Sequence, residues 1–137
     1  MLTQISVFLE NKEGKLARVL GILEQANINI RALSLADSTD FGMLRMIVDK
    51  PDAAQKALAA QNTLVSLTDV IGVVVPDRVG GLGALLSDLA KEKISLEYMY
   101  SYLTAHEDAA YMVLRVEGDA AAVERLLDSK GYRRAEQ

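Results

Sequence analysis

The residues best placed to do chemistry sit in two short turns, "NKEGKL" at 11–16 and "DRVGGL" at 77–82. Each turn offers a polar residue and a cation, then a glycine, then apolar residues at helical spacing. A helix that starts there presents unpaired N–H groups and a partial positive charge, which suit a carboxylate or a phosphate. Glycine removes the side chain that would hold a ligand off the backbone. Asn11 and Asp77 supply oxygens able to accept from an ammonium group. One corner thus meets both needs of a zwitterion. The same residue types also serve as plain turn or capping residues, so the turns alone leave both readings open.

Other chemistries find little to work with. His106 is the single histidine and lies in the acidic stretch "TAHED", where a solvated loop residue is expected. The chain has no cysteine, which removes disulfides, thiolate metal sites and thiol catalysis together. Glu107 and Asp108 are consecutive turn residues, and nothing places them around a substrate. The serines have no base to activate them. "GGLGALL" lacks both the GKS/GKT of a phosphate loop and the spaced glycines of a dinucleotide fingerprint. No catalytic residue, metal site or cofactor is expected, and the protein reads as a non-enzyme.

The elements that must position the turns come twice. A shift of 66 positions carries Gly14 to Gly80, and Leu16, Val19, Leu20 and Leu23 to Leu82, Leu85, Leu86 and Leu89. Both sets have the i, i+3, i+4, i+7 spacing of a buried helical stripe. The same shift carries Ile28 to Ile94 and Ile30 to Leu96. "QISVFLE" alternates as a half-buried strand, and its counterpart "VIGVVVP" is apolar throughout, as a strand covered on both faces would be. Two further strands follow in each half: "NIRALSLA" and "FGMLRMIVD", then "SLEYMYSYL" and "AAYMVLRVE". A second helix is expected from Pro51 or Asp52 to Ala60 and again from Asp119 to Leu127. Short strands close the halves, "TLVSLTD" and "GYRRAE". The order is β-α-β-β-α-β, twice.

The expected fold is therefore α+β, two tandem ferredoxin-like units at 1–69 and 70–137, antiparallel sheets with helices on one face. Each unit is small for a core of its own. No flexible linker separates them, so they are expected side by side with a shared or continuous sheet. In "GMLRMIV" and "AYMVLRV" both strand faces carry apolar groups. Helices cover one face, and the other is expected to pack on a second subunit, giving a homodimer.

Composition bounds the partners. Half of the 137 residues are hydrophobic and a quarter charged, a globular balance. The net charge of −4, with cations scattered among acids, disfavours nucleic acid, which needs a basic face. The βαββαβ order also occurs in RNA-recognition modules, but those need stacking aromatics and basic residues on the central strands, and these strands carry few. The longest apolar run is far short of the ~20 residues of a spanning helix, and the first residues lack the basic n-region and long apolar core of a signal peptide. The chain reads as soluble and cytoplasmic, with no membrane partner.

"ENKEGKLARVLGILEQANINI" and "PDRVGGLGALLSDLAKEKISL" resemble the opening of ACT domains, which show an Asp/Asn-Arg/Lys-Pro-Gly-x-Leu turn, an apolar helix and then Asn-Ile. The resemblance covers nearly the whole chain as two tandem copies, similar to small stand-alone bacterial ACT proteins. It implies a regulatory, allosteric module that senses a small molecule such as an amino acid, bound at ACT–ACT interfaces near the first strand-to-helix turn of one copy and the second strand of its neighbour. Carried over, the ligand-binding candidates are Asn11, Lys12, Gly14, Lys15, Leu16, Asn29, Asp77, Arg78, Gly80, Gly81 and Leu82. Glu13 and Val79 stand at the usual proline, and Ser95 replaces the second copy's Asn, so the two sites need not be equivalent. Tyr98 and Tyr100, in a tyrosine row with Tyr102, are further candidates, with dimer packing as the other role for such a row. The rival to ligand sensing is a ligand-free regulatory subunit that docks an unidentified enzyme through its sheet.

Overall fold

A computed structural model describes residues 1–137 except Thr39, Ala105 and His106; the expectation for His106 therefore falls outside the described residues. The elements run β1 (Leu2–Glu10), α1 (Lys15–Gln25), β2 (Ile30–Asp37), β3 (Phe41–Val48), α2 (Pro51–Ala60), β4 (Val65–Pro76), α3 (Gly81–Lys91), β5 (Leu96–Ser101), β6 (Ala109–Val116), α4 (Ala120–Ser129) and β7 (Arg133–Arg134). Contacts divide the chain into two compact units. One is Thr3–Thr68 with Gln137, and the other is Asp69–Glu136 with Met1–Leu2. The two strands expected on either side of Asp69 are one uninterrupted strand, β4. Val70 to Val75 are buried throughout, as an all-apolar strand demands.

The N-terminal unit has strand order β2-β3-β1-β4 and the C-terminal unit β5-β6-β4-β7. β1 pairs antiparallel with β3, with Val7 opposite Leu44 and Leu9 opposite Gly42. β4 pairs antiparallel with β6, with Val73 opposite Met112. The edge strands carry the same irregularity at matching places, a register shift between Ile30 and Ala32 and between Leu96 and Tyr98. The extra residue of each bulge lets neighbours on both sides keep their faces. Leu96 and Met99 therefore both pack on the core.

Each unit has its own aliphatic core. In the first, Ile5, Val7, Leu44, Met46 and Val48 of the sheet meet Val19 and Leu23 of α1 and Ala54 and Leu58 of α2. In the second, Ile71, Val73, Val75, Met112, Leu114 and Val116 meet Leu85, Leu89, Val123 and Leu127. The helical stripes match the spacing of the sequence except at Leu82, which is exposed at the start of α3. On the second sheet face the central residues Ile47 and Val113 are fully buried. At one end of the N-terminal sheet Phe8 is 70% exposed and meets Phe41 edge-on at 6.3 Å.

Candidate functional site

Both helices that follow the turns begin the same way. Gly14 and Gly80 stand at the N-caps in the left-handed region, at φ 80° and φ 85°. That backbone suits glycine and costs other residues about 1–2 kcal/mol. Neither helix receives a capping bond from a side chain, so Asn11 and Asp77 do not serve as caps. A side chain on Gly14 or Gly80 would meet nothing nearby; dihedral geometry, not space, calls for glycine there. Gly81 is different. A Cβ there would collide with the carbonyl oxygen of Pro76.

At the N-terminal corner a cavity of about 170 Å³ lies among Glu10, Asn11, Lys12, Lys15, Leu16 and Asp37. Four of the sequence candidates meet here: Asn11, Lys12, Lys15 and Leu16. The wall carries both charge signs. Asn11 Nδ2 donates to Asp37 Oδ1 at 3.0 Å, which turns its carboxamide oxygen away from that partner. Asn11 N donates to the carbonyl of Asp40 at 3.0 Å and so fixes the turn. Lys12 Nζ lies 3.0 Å from Glu10 Oε2. The bond from Lys12, with the charges of Lys12 and Lys15, holds the Glu10 carboxyl below the usual range.

The C-terminal corner opens into a larger cleft of about 470 Å³, bounded by the end of β4, the start of α3 and the stretch 130–133 after α4. Among the candidates Arg78 and Gly81 line it. Asp77 N donates to the carbonyl of Asp108 at 2.8 Å, the counterpart of the Asn11–Asp40 bond. The cleft wall also includes Tyr132, whose hydroxyl donates to Asp88 Oδ2 at 2.6 Å. Burial first, then the bond to Asp88 and its charge, push the Tyr132 phenol up to about 12.

Three candidates lie elsewhere. Asn29 is exposed just before β2, beyond the far end of the 11-residue α1 from Gly14, a helix of ~16 Å. Its backbone pairs with Asp49 on both sides, N–H to Oδ1 at 3.0 Å and C=O from Asp49 N at 3.1 Å. Tyr98 and Tyr100 stack at 6.4 Å on β5, and neither lines the cleft beside α3. Leu35, Asp37 and Gly42 in the first cavity, and Ala84, Lys130 and Arg133 in the second, escaped sequence reasoning. The run "SKGYRR" carried the one visible signal, clustered cations after a helix end. Among the described residues no group of three or more His, Cys, Asp or Glu could hold a metal, and no helix is long and apolar enough to cross a membrane.

Comparison with known proteins gives this geometry a family. The crystal structure of a Bacteroides thetaiotaomicron protein superposes with TM-score 0.90 at 39% identity, covering 98% of this chain and 91% of that one. The regulatory subunit of aspartate kinase from Thermus thermophilus shares the fold, with TM-score 0.68 at 16% identity over 93% of this chain and 90% of that one. In sequence, 70 residues are 37% identical to the acetolactate synthase small subunit of Haemophilus influenzae, covering 51% of this chain and 43% of the subunit. The isozyme 3 small subunit of Escherichia coli is 33% identical over 69 residues, covering 50% of this chain and 42% of the subunit. The matches thus span less than half the length of these relatives. The profile of the ACT domain pair matches residues 1–133, and the chain belongs to that family.

Proposed function

We propose that this ACT pair is a non-catalytic regulatory module that binds a free amino acid at its strand-to-helix corners. The observation that carries the reading is the N-terminal corner. An uncapped helix start at Gly14 adjoins a small cavity whose wall holds Lys12 and Lys15 together with Glu10 and Asp37. Amides and ammonium groups suit a carboxylate, and the carboxylates and the Asn11 oxygen suit an amine. Gly14, Leu16, Gly80 and Leu82 would shape the two corners, and Asp77 and Arg78 would repeat the polar pair in the second. Asn29, Tyr98 and Tyr100, distant from these corners, would contribute only from a neighbouring unit at an ACT–ACT interface. Pairing of two chains is part of the reading: the exposed Phe8 and Phe41 are the kind of apolar patch that a lone chain seldom leaves in water.

The ligand would act by differential affinity, favouring one arrangement of the assembly and so biasing a partner. The similarity to acetolactate synthase small subunits supports an enzyme as that partner. It equally supports the second reading, in which the chain docks an enzyme and binds no metabolite. A thermal-shift panel of the twenty amino acids separates the two. Binding at a hundredfold excess over Kd stabilises the native state by about 2.7 kcal/mol, which raises the midpoint by several degrees. A response that Gly14→Val abolishes supports the sensor; a flat panel leaves only docking.

A further inference from the structure

The two units differ most at one corner, and the difference points to a ligand. In the N-terminal unit Arg18 reaches from α1 across to the segment after α2. Its guanidinium donates to the Gln61 carbonyl at 2.8 Å and to Thr63 Oγ1 at 3.2 Å. The shift of 66 positions that relates the first helices places Ala84 where Arg18 stands. The shift of 69 that relates the second helices places Lys130, Gly131 and Tyr132 where Gln61, Asn62 and Thr63 stand. The backbone agrees: Asn62 and Gly131 both have positive φ, 58° and 87°. The strap that fills this corner in the first unit is therefore missing in the second, and the cleft of about 470 Å³ lies there, with Ala84 in its wall.

The charges around that cleft are unbalanced. Arg78, Lys130 and Arg133 line it against the single carboxylate of Asp108. Arg78 and Arg133 make no ion pair among the described residues, and Lys130 has only a long contact of 3.9 Å to Glu92. The adjacent Arg134, by contrast, is held by Asp128 and Glu124 and is no part of the wall. Three cations around one concavity of metabolite size, two of them without an ion pair among the described residues, suit an anion rather than a zwitterion, because each charge-assisted bond needs a negative partner.

We propose that this cleft binds a small metabolite carrying at least two negative charges, as phosphate or carboxylate groups, so that the two halves of the chain take ligands of different charge. The proposal shares Arg78 and Gly81 with the C-terminal corner and rests on the preceding reading only in treating that corner as open to ligand.

Calorimetric titration of the full chain at fixed ionic strength tests it, with pyrophosphate and succinate as separate probes and chloride as the control. Saturable binding of pyrophosphate alone assigns a phosphorylated ligand, and of succinate alone a dicarboxylate. Silence from both overturns the proposal. Two variants then locate the site: Ala84→Arg copies the strap of the first unit, and Ala84→Leu fills the space without charge. Ala84 is exposed on α3, so both should keep the wild-type circular dichroism and urea midpoint. Each is expected to weaken binding at least tenfold, as is Arg133→Gln. The arginine variant is the sharper one, because diffuse attraction would strengthen when a cation is added. Unchanged or tighter binding in Ala84→Arg overturns the proposal, whatever the other variants do. An amino-acid response that survives while both anions fail removes this inference and leaves the sensor reading. Anion binding with a flat amino-acid panel does the reverse.

Discussion

Arg18 and Ala84 occupy one position of a repeated unit and give it opposite characters. Around them the two copies agree in strand order, in the left-handed glycine before the first helix and in the bulge of the second strand. They differ in what decorates that frame. The bulged strand carries Ala32, Ser34 and Ala36 in the first unit, while the second has Tyr98 and Tyr100, with Tyr102 just past its end. The first corner is small and of mixed charge; the second is larger and basic. A duplicated scaffold thus keeps the residues that backbone geometry demands and leaves free those that only face a ligand. The comparison teaches which is which, with no other sequence needed.

The largest break in the equivalence should come from the cores. Leu85→Ala removes a fully buried side chain and is expected to cost about 2–5 kcal/mol by urea unfolding. Val19→Ala, at the matching position, removes one methylene fewer and should cost less by roughly 0.8 kcal/mol. Equal losses would mean that the helices do not pack alike.

Gly81→Ala comes next. Its Cβ must displace the Pro76 carbonyl, at about 1–3 kcal/mol. The first unit holds Lys15 at this place, and Lys15→Ala should stay within about 0.5 kcal/mol. A neutral Gly81→Ala would show that the tight second turn relaxes freely.

The second helices differ in their caps. Asp119 accepts from Ala122 N at 3.2 Å at the start of α4, whereas Lys50 at the start of α2 makes no capping bond. Asp119→Ala should cost about 1 kcal/mol. Lys50→Ala should cost less, through the bond of its ammonium to the Asn27 carbonyl at 2.8 Å.

The smallest effects are titrations. The Tyr132 phenol is raised from 10 to about 12 in the folded chain. Its contribution is complete below pH 10 and fades as pH climbs towards 12. Alkaline unfolding should therefore ease in Tyr132→Phe, while Thr63 and Ile22 give the first unit no such dependence. Glu10 moves the other way. Its lowered carboxyl contributes only above the usual carboxylate range and loses that contribution as pH falls through its folded value. Lys12→Gln should return the Glu10 midpoint, followed by NMR, towards 4.5. Pro76 stands at the matching place, so the second unit has no counterpart.

Much of this is legible in the sequence alone. The stripe Leu16, Val19, Leu20, Leu23 and the alternation of Ile5, Val7 and Leu9 are short-range patterns, and they placed α1 and β1 against the core. Asn11, Lys12, Lys15 and Leu16 share a cavity because they are neighbours in the chain. The misses come from longer range. Leu82 continues a periodic stripe but stands at a helix start, where the core has not yet closed over it. Lys130 and Arg133 escaped sequence reasoning because the cleft brings them beside Arg78 from far along the chain.

Residue order by itself determined the repeat, the element sequence and the glycine at each corner, because periodicity and φ preferences act within a few residues. Only the folded chain decided that the first corner is strapped shut and the second open. That choice depends on whether one long side chain meets a carbonyl 43 residues further along, a distance in space that no local pattern encodes.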